Sequence, residues 1–206
     1  GAVGNVNRYK GHAYFIEAAA KIIERLPDAR FVVVGRRLDT DAGLGARLEQ
    51  LTARLGLAQR VVFAGFRDDV PRVLAALDVF VLPSILESCP VALLEAMAMK
   101  VPVVATDVGA VREIVDSGRT GFVVPPGDAG AIDRGHDFGN AAVGNAVIGL
   151  ELHAQFGISL EQRLEARLEI GAGHLFLVDI DIAVGIDDEL DLLHLLQLFH
   201  RCRCGT

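Results

Sequence analysis

No stretch of this 206-residue chain stays apolar for the eighteen or so residues that a membrane span needs, and the first thirty residues carry no signal-type apolar core. Cysteine is scarce. Cys89, Cys202 and Cys204 make an odd count with neither a disulfide framework nor paired zinc spacing, which suits a reducing cytosol. Positive charge is also in short supply: the net charge of -7 argues against nucleic acid as a partner. No Gly-x-Gly-x-x-Gly follows the first strand-like run and no Walker lysine motif occurs, so neither an ordinary dinucleotide site nor a P-loop is expected.

What is present is a core-forming composition, 51% hydrophobic and 23% charged. It is unevenly charged. Residues 1–132 hold 15 basic and 15 acidic side chains, whereas residues 133–206 hold 5 and 12; all three lysines lie in the first part and five of the six histidines in the second. A boundary is therefore expected at Ile132.

Along the first part, strand-like and helix-like runs alternate. Ala2 to Asn5 reads as the end of a strand whose beginning is not in this chain, so the sequence is expected to be a fragment. Ala13 to Leu26 places Phe15, Ala18, Ala19, Ile22, Ile23 and Leu26 at helical spacing, and Pro27-Asp28 stops it. Arg30 to Val34 is a strand ending at Gly35, and Thr40 or Asp41 can cap a helix that runs to about Leu55. Val61 to Phe63 is a third strand. Asp68 or Asp69 then caps a short helix through Ala76, and Asp78 to Leu82 and Pro102 to Thr106 are two further strands.

Between those last two, Ser88 and Cys89 stand where an N-cap belongs, Pro90 suits the first helical position, and Val91 to Met99 are good helix formers. This alternation predicts an α/β fold with a doubly wound parallel sheet, whose ligands bind beyond the carboxyl ends of the strands. The loops after Asn5, Gly35, Gly65, Ser84 and Thr106 should then share one rim. Lys10 and Glu87 would face one cleft.

The run PSILESCPVALLEAMA, followed by PVVATDVGAVREIV and TGFVVPPGD, resembles the nucleotide-sugar-binding half of retaining glycosyltransferases of the two-Rossmann-domain (GT-B) architecture, family 4 in particular. Glu87 and Glu95, with seven residues between them, match the family's Glu-x7-Glu motif. The resemblance spans roughly residues 3–132. It implies hexosyl transfer from a nucleoside diphosphate sugar, no metal cofactor, and an N-terminal acceptor domain that is missing here and through which any membrane contact would be made. The alternative reading is a catalytically incomplete fragment that binds nucleotide sugar but, lacking the acceptor domain, transfers nothing.

By resemblance, Lys10 holds the diphosphate, Glu87 serves the donor sugar near the reacting carbon, and Glu95 the ribose hydroxyls. Arg8 stands closer to the lysine than the family's arginine, with Asn5 or Asn7 in the usual place. A growing negative charge on the leaving diphosphate calls for cations and amide donors aimed at it, and the helix start adds the N–H groups of Ser88, Cys89 and Val91. A carboxylate accepts two neighbouring hydroxyls well.

Other residues point elsewhere. Asp39-Thr40-Asp41 and Asp179-Ile180-Asp181 have the Asp-x-Asp form that other glycosyltransferases use for a divalent metal, although the first is more simply a helix cap. His12 follows Lys10-Gly11 and is either a rim residue or a structural one. Lys100 replaces the family's usual glycine, so strain is expected there. After Asp128 the family pattern is lost. Two readings stand for residues 133–206: non-homologous sequence from a frameshift or mispredicted exon, or a genuine accessory segment, within which residues 161–170 and 189–200 have helical character.

Overall fold

The computed structural model describes residues 1–38 and 43–135. The expectations for Asp39 to Asp41 and for residues 136–206 lie outside the described residues. Strands β1 (Ala2–Val3), β2 (Phe31–Val34), β3 (Val61–Gly65), β4 (Phe80–Leu82), β5 (Val103–Thr106) and β6 (Gly121–Val124) alternate with helices. These are α1 (His12–Arg25), α2 (Leu44–Arg54), α3 (Val70–Ala75), α4 (Val91–Ala98) and α5 (Val111–Ile114), with a further helical stretch at residues 129–135.

Among the described residues all pairings of these strands are parallel, in the orders β1-β2-β3 and β4-β5-β6. The backbone joins the two halves. Gly1 donates to the Val79 carbonyl at 2.8 Å and accepts from the Val81 N–H at 2.7 Å, the one-to-two pattern of a parallel pair. The continuous order is thus 3-2-1-4-5-6, with the reversal of direction between β1 and β4. Ligands to doubly wound sheets bind at such a reversal.

Side chains of successive strand residues point to opposite faces, and the core divides accordingly. Val33, Val81 and Val104 join α1 through Phe15, Ile16 and Ile22, α2 through Leu48, and the last helix through Ala131 and Ile132. Val32, Val34, Phe80, Leu82 and Val103 join α3 through Val73 and Leu74, α4 through Leu93 and Ala96, and α5 through Val111. The expected doubly wound α/β architecture is the one observed. Strand β6 and helix α5 were not among the expected elements, because DVGAVREIV and TGFVV are too short for periodicity to mark them.

The caps of α2 and α3 differ from expectation. The N-cap of α2 is Gly43 at φ 78°, with no side-chain cap bond. Asp69 does occupy the N-cap of α3, but its carboxylate is spent on Arg67, at 2.7 Å from Nε, and does not cap. The boundary expected at Ile132 falls inside the helical stretch 129–135. Asp133, one residue beyond it, is buried and takes a two-pronged bond from Arg25 at 2.7 and 3.2 Å. A Cβ on Gly135 would lie 2.7 Å from Val104 Cγ1, so the chain is still packed on the sheet there. The packed domain therefore extends through residue 135. No helix among the described residues is long and apolar enough to cross a membrane.

Candidate functional site

Two loops meet where the strand order reverses. The first leaves β1 and forms a 3-10 turn at Arg8–Lys10, capped by Asn7, whose Oδ1 accepts from the N–H groups of Tyr9 at 2.9 Å and Lys10 at 3.1 Å. Asn5 is used elsewhere, accepting from the Arg36 amide at 3.3 Å. The turn ends at Gly11, φ 63°, where a Cβ would sit 1.9 Å from the Pro83 carbonyl oxygen. Only glycine fits that approach.

The second loop leaves β4 and is laced to the first: Ile85 N–H donates to the Tyr9 carbonyl at 2.8 Å. The closeness of the two backbones brings Lys10 onto Glu87, 77 positions away, as an ion pair on Oε1. Ser84 Oγ donates to the same oxygen at 2.8 Å. Glu87 has a side chain only 8% exposed, against 25% for Lys10. A carboxylate this deep needs its partners, since an unpaired buried charge is costly.

Behind Glu87 the loop is pinned twice. Thr106, fully buried at the end of β5, donates its hydroxyl to the carbonyls of Ser84 at 2.5 Å and Leu82 at 3.1 Å. Gly109, φ 54°, lies so close that a Cβ would come within 2.4 Å of the Glu87 carbonyl oxygen. Neither Ser84 nor Thr106 was read as a site residue from the sequence. The available signal was a lone hydroxyl at the carboxyl end of each of two otherwise apolar strand runs.

The remaining predicted residues stand apart from this group. Arg8 is exposed, with its guanidinium carbon 5.0 Å from the Tyr9 ring centroid. Helix α4 begins one residue later than expected, with Pro90 as its N-cap and no side-chain cap, so Ser88 and Cys89 precede the cap. Of the three amides expected to stand open, that of Val91 donates to the Cys89 carbonyl at 3.0 Å and is already used. Ser88 is exposed and Cys89 half-buried in the turn before it. Glu95 lies exposed on α4, where partial desolvation holds its carboxyl above the usual range.

His12, the first residue of α1, is buried rather than on the rim. Burial, and then the charge of Lys10, lower its pKa to about 4 against the opposing hydrogen bond to the Gly4 backbone, and its Nδ1 is buried with no partner among the described residues. Lys100 adopts φ 56°, the left-handed conformation expected to be strained for a residue with a Cβ. Among the described residues no group of three or more His, Cys, Asp or Glu is placed to hold a metal ion.

Comparison with known proteins extends this picture. A family profile described as "Glycosyl transferases group 1" matches residues 1–135. The chain is 38% identical over 126 residues to the alpha-D-kanosaminyltransferase of Streptomyces kanamyceticus, covering 60% of this chain and 31% of that protein. It is 37% identical over 134 residues to the lipopolysaccharide core biosynthesis mannosyltransferase LpsB of Rhizobium meliloti, covering 64% and 38%. The chain thus spans about a third of the length of these curated relatives.

Among solved structures, the C-terminal domain of the glycosyl transferase group 1 protein LpcC from Francisella tularensis superposes with a TM-score of 0.64 at 30% identity, covering 71% of this chain and 76% of that one. HepE of Anabaena, solved with UDP and glucose, gives a TM-score of 0.65 at 27% identity, covering 81% and 43%.

Proposed function

The chain belongs to the glycosyl transferases group 1 family, and from that premise we propose that residues 1–135 are the donor-binding domain of a retaining, family 4-like glycosyltransferase. The domain binds a nucleoside diphosphate sugar for hexosyl transfer to an acceptor held by another domain. One observation carries this reading: two loops far apart in sequence place a cation and a carboxylate together at the reversal of strand order. Relatives named for kanosaminyl and mannosyl transfer, and HepE with UDP and glucose, support the ligand class.

In this reading Lys10 turns from Glu87 to the diphosphate, whose negative charge grows as the glycosidic bond breaks; the Ser88 amide lies in the same turn. Arg8 adds long-range attraction from the exposed rim. Glu87 accepts hydroxyls of the donor sugar, and Glu95 those of the ribose. No metal is needed to hold the diphosphate. The chain by itself binds donor without transferring the sugar, because the acceptor side of the cleft belongs to the rest of the protein.

Calorimetric titration with UDP-glucose and GDP-mannose, and with UDP and GDP, tests this. Binding is expected to survive excess chelator and to weaken by about 1.5–3 kcal/mol in Lys10→Ala, the range for hydrogen bonds to charged groups. Abolition by chelator, or indifference to Lys10→Ala, would overturn the assignment. We place the end of this domain shortly beyond residue 135. Limited proteolysis is expected to leave a resistant core ending close to residue 137, and a core that ends well before Asp133 or that includes the whole tail would refute that placement.

A further inference from the structure

Glu87 has two carboxylate oxygens, and the structure treats them differently. Oε1 receives both Lys10 Nζ and Ser84 Oγ, while Oε2 has no partner among the described residues. Ser84 is fully buried, and burial of a hydroxyl costs free energy unless it is hydrogen-bonded. An alanine would fill the same place at the end of β4 without that cost. The backbone tie to the sheet does not need the hydroxyl either, because Thr106 bonds to the Ser84 carbonyl. What the hydroxyl does is hold one carboxylate oxygen.

We propose that Ser84 is a positioning residue for Glu87: its hydroxyl fixes Oε1 so that Oε2 is presented to the hydroxyls of the donor sugar, and it keeps that oxygen partnered when Lys10 moves to the diphosphate. The proposal rests on the donor-site reading above. Lys10 cannot by itself hold the carboxylate in the loaded state, since its ammonium is then shared with phosphate. A second donor, on a rigid strand end and fully buried, holds the carboxylate through that change. The loop it sits in is fixed from behind by Thr106 and by the close seat of Gly109, so Ser84 presents its hydroxyl from a fixed point.

The role has a signature that a merely structural serine lacks. Titration of the full chain with UDP-glucose, GDP-mannose, UDP and GDP should show Ser84→Ala binding the nucleotide sugar about tenfold more weakly, with the bare diphosphate changed less than twofold. In a Glu87→Ala background the same change should have no further effect, the mark of two residues acting as a unit. If Glu87→Ala does not fold, Glu87→Gln takes its place, and Ser84→Ala should then cost less than threefold.

Equal weakening of sugar-bearing and bare ligands by Ser84→Ala, or full additivity with the Glu87 change, would overturn the proposal. Wild-type binding with an unaltered Ser84→Ala variant would overturn it while leaving the donor site intact. If the wild-type chain binds none of the four ligands, the donor-site reading fails and this proposal with it.

Discussion

Glu87 and Glu95 belong to one motif and to two different environments. Glu87 is nearly buried, bonded to a lysine and a serine, in a loop fixed by Thr106 and Gly109. Glu95 is exposed on one face of an eight-residue helix, and desolvation alone shifts its titration. The contrast teaches that spacing in a motif does not set the mechanics of its members. The first acid is held by a lysine, a serine and a fixed loop, whereas the second is held only by the helix beneath it.

The largest test of this contrast is acid, applied under the anchored side. His12 starts the helix after the Lys10 turn, and its folded pKa of about 4 lies below the ordinary 6.5. The unfolded chain therefore takes up the proton first. Stability from the neutral, buried imidazole is complete above about pH 6.5 and is lost as pH falls toward 4, amounting to about 3 kcal/mol. Urea unfolding at pH 7 and pH 4.5 is expected to show a clearly smaller loss in His12→Leu than in the wild type; parallel losses would place the acid sensitivity elsewhere.

Next in size is the stability difference between the acids themselves. Glu87→Ala leaves the ammonium of Lys10 and the buried hydroxyl of Ser84 without their partner, which should cost about 2 kcal/mol after allowance for the solvent that reaches Lys10. Glu95→Ala should stay within about 0.5 kcal/mol, as exposed substitutions do. Chemical denaturation of both variants would erase the contrast if the two costs came out alike.

Binding should reverse that ranking for one ligand. Because a bare nucleoside diphosphate contains ribose and no sugar beyond it, Glu95→Ala should weaken its binding by about 1 kcal/mol and Glu87→Ala should not. Calorimetry with UDP and GDP decides, and a dominant effect of Glu87 on the bare ligand would refute the division of roles.

The smallest expected effect lies at the far end of the Glu95 helix. Lys100→Gly relieves a left-handed backbone and should stabilise the chain by about 0.5–1 kcal/mol, after the extra freedom glycine has when unfolded is subtracted. A lower melting temperature in this variant would mean that contacts of the lysine side chain outweigh the strain.

Much of this was legible beforehand because it is local. The apolar runs at Val32, Val81 and Val104 are bounded by polar punctuation, and alternation with helices leaves few folds open. The helix at His12–Arg25 announced itself through its spacing. Strand β6 and helix α5 did not, since four residues hold too little of any period to register. The Asp69 cap misled for another reason: a carboxylate that could cap was claimed by Arg67, two residues before it, and side chains this close compete for one another.

The residues of the chain by themselves determined the alternation of elements, the parallel sheet, and the presence of a cation and an acid in the rim loops with a second acid on the helix that follows. Each of these follows from short-range preference or from one-dimensional pattern. Only the tertiary structure decided that Lys10 rests on Glu87, that Ser84 holds the same oxygen, that His12 is buried, and that the packed domain runs past Ile132 to the Asp133 clamp. Those facts depend on where β1 and β4 come together and on two backbones close enough that only glycine fits at Gly11 and Gly109. A distance between atoms contributed by strands dozens of residues apart is set by packing, and no sequence window contains it.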